Sequence, residues 1–258
     1  MKKILTGISL LSIALWACKK DVSDVSKYTY STEIENFAKL KINFASVKRG
    51  NPNYQIKIND TRVSGLIPAR YPYPGGGLNT GGLSNGDYLN IAPGKVNVKV
   101  SIPKYLTNID SIVMLDSNIT VRETKYYTYH VTDTAANMKA VLFEDDRTTV
   151  PGALPKFKLV NLMPNVSAVD LYFGPTLVAS NIKYLNSSAE FSIDTAQTVT
   201  GWTIRETGAG ATGAALATYA SAATISYGRK LTAFAMGYKG LAGLTEPRRP
   251  FISFFYTR

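Results

Sequence analysis

Residues 40–44 of this chain read LKINF, residues 54–58 read YQIKI and residues 96–100 read VNVKV. In each stretch apolar and polar residues alternate, so every second side chain lies on the same face of an extended strand. Gly, Pro, Asn and Asp separate these stretches, as they do in turns between strands. The alanine-rich residues 213–223 follow a glycine-rich loop and are interpreted as strand and turn. The pattern predicts an all-β chain.

The strand pattern occurs twice along the chain. Residues 41–67 align without a gap on residues 156–182, and residues 125–129 align on residues 230–234. The positions expected to face inward are apolar in both copies, whereas the outward positions vary, as a shared strand arrangement requires. We therefore predict two tandem units with six or seven strands each, a number that suits a β-sandwich.

The second unit carries a series of recognisable strand motifs. Residues 157–165 read FKLVNLMPN, residues 169–174 read VDLYFG and residues 177–182 read LVASNI. This series resembles a bacterial domain of unknown function, DUF4397, over residues 156–258 and more faintly over residues 40–146. The resemblance implies immunoglobulin-like antiparallel β-sandwiches in secreted or surface-anchored proteins, and it carries over no catalytic residue.

The first residues of the chain, MKKILTGISLLSIALWACKK, indicate where the protein is held. A basic head precedes an apolar run at residues 4–17, which is shorter than the ~20 residues of a transmembrane helix. This pattern predicts a signal peptide over residues 1–17. The end of the run, Leu15-Trp16-Ala17-Cys18, resembles the lipobox of bacterial lipoproteins, which implies that Cys18 is lipidated. The alternative is an ordinary secretory signal followed by an incidental cysteine.

The predicted organisation follows from these segments. A signal peptide at residues 1–17 precedes a lipidated, polar linker at residues 18–38. The first β-sandwich domain covers residues 39–150, and the second, DUF4397-like domain covers residues 151–258. The predicted fold class is all-β, with two tandem immunoglobulin-like antiparallel β-sandwich domains after the signal peptide and linker.

The chain has a formal charge of +11, yet only 18% of its residues are charged. Its lysines and arginines are scattered and form no arginine stripe or aromatic–basic platform of the nucleic-acid-binding kind. We therefore expect no nucleic-acid partner and interpret the charge as a solvated surface facing anionic envelope material.

The sequence contains no pattern that predicts catalysis, a metal site or a cofactor. The one histidine, His130, is expected on the surface of a strand. The acidic run Glu144–Asp146 is interpreted as a solvated turn, with a calcium site as the alternative. Asp170 is expected to bond to neighbouring backbone or a turn. The glycine cluster at residues 75–77 lacks the Lys-Ser/Thr pair and the helix of a phosphate-binding loop.

One segment has the character of a binding loop. The first unit contains an insertion, absent from the second, with the sequence Arg70-Tyr71-Pro72-Tyr73-Pro74. Prolines stiffen it, and the faces of Tyr71 and Tyr73 can stack on sugar rings or peptides. Arg70, Tyr71 and Tyr73 are the predicted ligand-binding residues. The alternative is that the two tyrosines cover the edge of the sandwich or the seam between domains.

These observations favour a non-enzymatic cell-envelope lipoprotein that acts as a binding or structural module. Its predicted partners are the outer membrane, through Cys18, and a glycan or an envelope protein. The sequence leaves the periplasmic face and the outer face as alternatives. The alternative functions are a glycan-binding accessory protein of a surface uptake system and a surface adhesin. A hydrolase is disfavoured because Asp and Glu are scarce outside turns.

Overall fold

In the part of the chain that the structure describes, almost all stretches with alternating apolar and polar residues form strands. The structure is a computed structural model, and it describes residues 36–46, 48, 50, 52–67, 88–150, 152, 154–194, 201–220, 228–243 and 245–258. Residues 37–258 form one compact unit. Within the described residues there are sixteen strands, one 3-10 turn at Ala135–Asn137 and no α-helix. The all-β prediction is confirmed.

The first eight strands belong to the first half of the chain. They are β1 (Ala38–Phe44), β2 (Gln55–Ile58), β3 (Thr61–Arg62), β4 (Leu89–Ile91), β5 (Gly94–Pro103), β6 (Asp110–Val121), β7 (Tyr126–Thr132) and β8 (Lys139–Glu144). They form two sheets, in the orders β4-β1-β7-β8 and β3-β2-β5-β6.

The second half repeats this arrangement. Its strands are β9 (Lys156–Asn161), β10 (Ala168–Phe173), β11 (Thr176–Lys183), β12 (Phe191–Ser192), β13 (Gly201–Glu206), β14 (Ala215–Ala220), β15 (Lys230–Met236) and β16 (Phe251–Tyr256). Their sheet orders are β12-β9-β15-β16 and β11-β10-β13-β14. These are the orders of the first half with every strand advanced by eight, so the internal repeat extends to the topology. Strand β14 also lies within residues 213–223, for which strand and turn were predicted.

Among the described strands each half contains one parallel pair, and the other ladders are antiparallel. Strand β1 pairs with β7 in parallel, and β9 pairs with β15 in the same way. These two ladders are exceptions within the predicted antiparallel architecture. The immunoglobulin-like detail is not confirmed: in a constant-type immunoglobulin domain the first and second strands are neighbours, whereas here β1 lies between β4 and β7.

The strand ladders correct the register of the repeat. The sequence alignment places Lys41 on Lys156 and Lys125 on Lys230. In the ladders Lys41 lies opposite Thr128, whereas Lys156 lies opposite Lys230. The two aligned segments are therefore out of register with each other by three residues. An odd shift matters because it exchanges the two faces of the strand. Over β2 and β3 the aligned register agrees with the ladders.

Two hydrophobic cores correspond to the two halves. The first contains Leu40, Ile42, Val98 and Tyr129 among its buried residues. The second is centred on Trp202, whose ring centroid lies 4.9 Å from that of Phe157, 4.8 Å from that of Phe173 and 5.3 Å from that of Phe254. Each core lies between the two sheets of its half. The division into domains at residues 39–150 and 151–258 stays a prediction.

A third apolar cluster joins the two halves. It consists of residues from both, and its buried members are Ala45, Val160, Leu162, Phe234, Met236, Phe251 and Phe255. The outward faces of sheets β4-β1-β7-β8 and β12-β9-β15-β16 carry these residues, so those two sheets face each other. We call this contact the seam. It explains why every residue of β15 is buried, since a strand covered on both faces loses its alternation.

The seam also buries His130, so the expectation of a surface histidine is wrong. Tyr127 and Tyr129 lie on one face of β7. The other face, which carries His130, is covered by the second half of the chain and not by water. The His130 ring centroid lies 5.8 Å from that of Phe255 and 5.9 Å from that of Phe143. Asn43 Nδ2 lies 2.9 Å from His130 Nδ1. Burial, followed by the charges of Lys158 and Lys41, lowers the pKa of His130 to about 3.

Candidate anion-binding cleft

A cleft of about 530 Å³ opens where the seam reaches the surface. Both halves of the chain line it. The first half contributes the start of β1, the segment around β4, the start of β7 and Arg147, which follows β8. The second half contributes Arg229, which precedes β15, and the end of β16 with the residues after it. The cleft therefore depends on the seam and is not a property of either sandwich alone.

Cationic side chains dominate the cleft. Those among its lining residues are Lys39, Lys41, Arg147, Arg229 and Arg258. No described lining residue is an aspartate or a glutamate. Because like charges gathered in a concave site reinforce one another's field, the cleft has a positive potential that attracts anions.

Aromatic rings accompany these cations. The cleft is lined by Tyr88, Tyr126 and Tyr256. The Tyr88 and Tyr126 rings meet edge to face, with centroids 5.2 Å apart. The guanidinium carbon of Arg147 lies 4.7 Å from the Tyr126 centroid and 5.5 Å from the Tyr88 centroid, and that of Arg229 lies 5.6 Å from the Tyr256 centroid. These distances lie within the range of cation–π contacts, and an arginine in such a contact still has N–H groups that can donate hydrogen bonds.

Lys41 anchors the wall of the cleft. Its ammonium group donates a 2.8 Å hydrogen bond to the carbonyl oxygen of Tyr256. The same nitrogen lies 4.5 Å from the Tyr88 ring centroid and 4.7 Å from that of Phe255. Lys41 is buried, so its charge acts in a less screened environment than that of a surface lysine. Lys41 thus holds the two halves together and adds to the positive field.

The arginines of the cleft are not paired with acidic side chains in the part of the chain that the structure describes. Within the described residues, Arg147, Arg229 and Arg258 take part in no ion pair with an acidic side chain. Arg258 instead donates a 2.5 Å hydrogen bond from Nη1 to the Arg147 carbonyl oxygen. An anion entering the cleft would therefore meet arginines that no acidic side chain among the described residues neutralises, and guanidinium groups are preferred partners of carboxylate and phosphate groups.

The acidic run beside the cleft is engaged by other residues. Glu144 lies 2.9 Å from Lys125 Nζ and also pairs with Arg122. Asp146 accepts a hydrogen bond from Lys230, which together with a bond from the Thr148 backbone lowers its pKa to about 2. These contacts occupy the carboxylates at the rim, so the cations of the cleft are not required to balance them.

Asp145, the middle residue of that run, is buried rather than solvated, which corrects the predicted turn. Its Oδ2 accepts hydrogen bonds from Thr128 Oγ1 at 2.5 Å and from Tyr88 OH at 3.0 Å. Burial and the nearby Asp145 carboxylate raise the pKa of Tyr88, so Tyr88 stays a neutral donor. Among the residues that the structure describes, no group of three His, Cys, Asp or Glu side chains could hold a metal ion.

The other residues singled out in the sequence have different outcomes. Cys18, Arg70, Tyr71 and Tyr73 lie outside the described residues, so their predicted roles stay predictions. Asp170 behaves as expected of a structural carboxylate. It accepts hydrogen bonds from Asn181 N at 2.8 Å, Thr207 Oγ1 at 2.9 Å and Gly208 N at 3.2 Å.

Sequence reasoning missed the cleft because its cations lie far apart along the chain. One available signal was the lack of alternation in residues 230–236 and 251–256, which indicates strands buried on both faces. That signal could have predicted a seam, and the polar residues at the ends of those strands would then lie at its rim.

The described lining of the cleft consists of lysines, arginines, tyrosines, an asparagine and a threonine. These side chains donate charge-assisted and neutral hydrogen bonds and present aromatic faces. A cleft of this volume falls in the range of small-molecule sites. It can hold an anion with a flat face.

Within the described residues no helix has the length and apolar character needed to cross a bilayer.

Comparison with known proteins supports the family resemblance. A profile described as a domain of unknown function, DUF4397, matches residues 50–172. The resemblance seen in the sequence is thereby confirmed, although the matched stretch covers most of the first repeat and only the start of the second. No curated protein matches the chain.

Two solved structures from Bacteroides are among those similar to this chain. A candidate cell adhesion protein from Bacteroides uniformis ATCC 8492 is 11% identical, with 87% of this chain and 98% of that chain covered and a TM-score of 0.21. A leucine-rich repeat protein from Bacteroides thetaiotaomicron VPI-5482 is 16% identical, with 72% of this chain and 24% of that chain covered and a TM-score of 0.20. With TM-scores this low, neither likeness carries an argument about function.

Proposed function

We propose that this protein is a non-enzymatic binding module of the bacterial cell envelope, and that its ligand is an anionic saccharide held in the seam cleft. The observation that carries the proposal is the lining itself, in which five cations and three tyrosines converge with no acidic side chain among the described residues. Carboxylate-bearing sugars present both features that such a lining recognises: a negative charge for guanidinium groups and a flat ring for tyrosines.

A uronic acid fits this lining better than a neutral sugar does. Arg147 and Arg229 hold their guanidinium groups against tyrosine rings, so less side-chain entropy is lost when a carboxylate binds. A neutral sugar would gain only ring contacts, and it would leave the arginines without a charged partner. Binding is therefore expected to weaken as salt concentration rises.

The test is calorimetric titration of the full chain with a short oligogalacturonate, with a neutral galacto-oligosaccharide as the comparison ligand. We expect the uronate to bind and the neutral sugar to bind at least tenfold more weakly. The double substitution Arg147→Ala and Arg229→Ala should reduce uronate affinity by about tenfold or more, because charge-assisted hydrogen bonds contribute about 1.5–3 kcal/mol each.

A matched control is Lys183→Ala, which removes an exposed cation from β11, away from the cleft lining. Its affinity for oligogalacturonate should be unchanged. Equal losses in the control and in the arginine variant would point to general charge attraction and would refute a cleft-specific site. Failure of the uronate to bind at all would refute the proposed ligand.

The envelope location is the second part of the proposal, and it depends on the lipobox-like segment ending in Cys18. Lipidation would supply more than one acyl chain, which holds a protein stably at a membrane. Labelling cells with a clickable fatty acid should mark the wild-type protein and leave Cys18→Ala unmarked. Labelling of both proteins would overturn this assignment.

A further inference from the structure

Exposed apolar side chains are concentrated at one place on the first sandwich. The described residues contain eight large apolar residues that are exposed, and six of them lie in or beside the β5–β6 hairpin. These six are Leu66, Tyr105, Leu106, Ile109, Ile112 and Val113. Exposed apolar residues gathered in one segment indicate a contact surface, whereas isolated exposed apolar residues need no explanation.

The end of this hairpin extends past its neighbouring strand. The ladder between β2 and β5 runs no further along β5 than the pair Gln55↔Ser101. Strands β5 and β6 continue beyond it to the pair Pro103↔Asp110. Two register shifts in this part of the ladder bend the hairpin. The connecting residues 104–109 therefore form a protruding tip, which we call the hairpin tip.

The hairpin tip is held in a defined shape. Lys104 N donates to Ile109 O at 2.8 Å, and Thr107 N donates to Lys104 O at 3.0 Å. Thr107 Oγ1 accepts a 3.2 Å bond from Ile109 N. The loop thus satisfies several of its own backbone groups, which lowers the cost of moving it out of water.

Two side chains at the hairpin tip stand almost entirely in solvent. Tyr105 is 89% exposed and Leu106 is 86% exposed. Leu106 also has a backbone φ of +56°, a conformation that a leucine rarely adopts. The fold gains no burial from Leu106 in return for this conformation, whereas a partner that buried the side chain would compensate its cost.

The charge around the hairpin tip is positive. A hollow of about 570 Å³ beneath it is lined by Arg62 and Lys104 and, among described residues, by no acidic side chain. The nearest carboxylate in the ladder, Asp110, lies 2.9 Å from Lys57 Nζ and accepts hydrogen bonds from Gln55 and Ser101. Lys57 therefore balances the charge of Asp110. The hairpin tip combines exposed apolar side chains with two cations, Arg62 and Lys104.

We propose that the hairpin tip inserts into the headgroup region of an anionic lipid bilayer. A convex tip with two fully projecting apolar side chains suits a fluid surface, which needs no complementary pocket. Tyrosine and lysine are residues that settle at the membrane–water interface, with the ring at headgroup depth and the ammonium group toward lipid phosphates. The cations Arg62 and Lys104 attract the anionic headgroups. This inference is independent of the seam cleft.

The test uses the full chain with Cys18→Ala, so that an introduced cysteine carries the only thiol. A polarity-sensitive fluorophore is attached at Leu106→Cys and, as the matched control, at Leu177→Cys on β11, where the native leucine is 48% exposed. Residues 4–17 are present in both labelled proteins, so membrane tethering by that apolar segment affects both in the same way. Only insertion of the hairpin tip would make the fluorescence at position 106 differ from that at position 177.

With phosphatidylglycerol vesicles we expect a blue shift at position 106, quenching of that probe by brominated acyl chains, and neither effect at position 177. Both effects should be lost on pure phosphatidylcholine vesicles, and also when Arg62→Ala and Lys104→Ala are combined. No shift at position 106 on anionic vesicles would overturn the inference and would leave the patch to a protein partner. Equal shifts at both positions would overturn it as well.

Discussion

The Lys41 ammonium nitrogen lies 2.8 Å from the carbonyl oxygen of Tyr256, a residue 215 positions further along the chain. This hydrogen bond spans the seam, and it lies in the wall of the cationic cleft. Stability of the seam and shape of the cleft therefore depend partly on the same side chain.

Lys41→Met should destabilise the protein. Methionine fills much of the same volume but cannot donate to the partly buried Tyr256 carbonyl, and an acceptor left without its donor costs about 1–3 kcal/mol. Urea denaturation should show a loss of this size in the free energy of unfolding. Lys39→Met, on the same strand and less buried, is the control and should lose less. Equal losses would mean that the seam contact contributes little.

Protonation of His130 should make the protein sensitive to acid. The pKa of His130 is lowered from 6.5 to about 3, first by burial and then by Lys158 and Lys41. Between those pH values the unfolded chain binds a proton that the folded chain does not, so the stability from neutral His130 is present above pH 6.5 and is lost as the pH falls. At pH 5 the loss is about 2 kcal/mol.

The measurement for His130 is urea denaturation at pH 7 and pH 5 for the wild type and for His130→Gln. Glutamine keeps an acceptor for Asn43 and does not titrate. The wild type should lose about 2 kcal/mol more than the variant between the two pH values. Parallel losses would show that other groups cause the acid sensitivity.

Asp170→Ala should destabilise the second sandwich. The substitution leaves the backbone N–H groups of Asn181 and Gly208 without their acceptor, at a cost of about 3 kcal/mol. Asp170→Asn keeps one acceptor oxygen and should cost less. Thermal unfolding of the two variants distinguishes them, and identical melting temperatures would argue against this role of the carboxylate.

Gly237→Ala should be strongly destabilising, whereas Gly201→Ala should not. Gly237 has φ +91°, and an added Cβ would lie 2.1 Å from the Arg249 carbonyl oxygen. The backbone would have to move, and we expect a loss above about 2 kcal/mol. A Cβ at Gly201 meets no atom within 4 Å, so Gly201→Ala should change stability by less than about 1 kcal/mol. Chemical denaturation of both variants tests the contrast.

The sequence predicted the strands well because alternation marks two chemically different strand faces. Residues 96–100 have one buried and one partly exposed face, whereas residues 40–44 are buried on both faces and alternate because Lys41 and Asn43 lie on the seam side. Both segments are strands as predicted. Sequence alignment failed at Lys230. Lys125 and Lys230 are alike in chemistry, so alignment paired them, whereas the ladders place Thr128 opposite Lys41 and Lys230 opposite Lys156, the residue aligned with Lys41.

The cleft could not be predicted from the same patterns. Alternation reports only whether a strand face is covered, and it does not identify what covers that face. His130 illustrates this, because its face of β7 carries polar residues and yet packs against the other half of the chain. Long-range contacts such as that between Lys41 and Tyr256 have no local sequence signal.

The parallel pairing of β1 with β7 has a mechanical consequence. Six residue pairs, from Lys39↔Tyr126 to Phe44↔Val131, join these strands. Tension applied along β1 loads all of those pairs in shear at once, whereas tension across a hairpin peels its bonds apart one after another. Strands β9 and β15 repeat the arrangement. Each sandwich thus contains a clamp that resists stretching along its first strand.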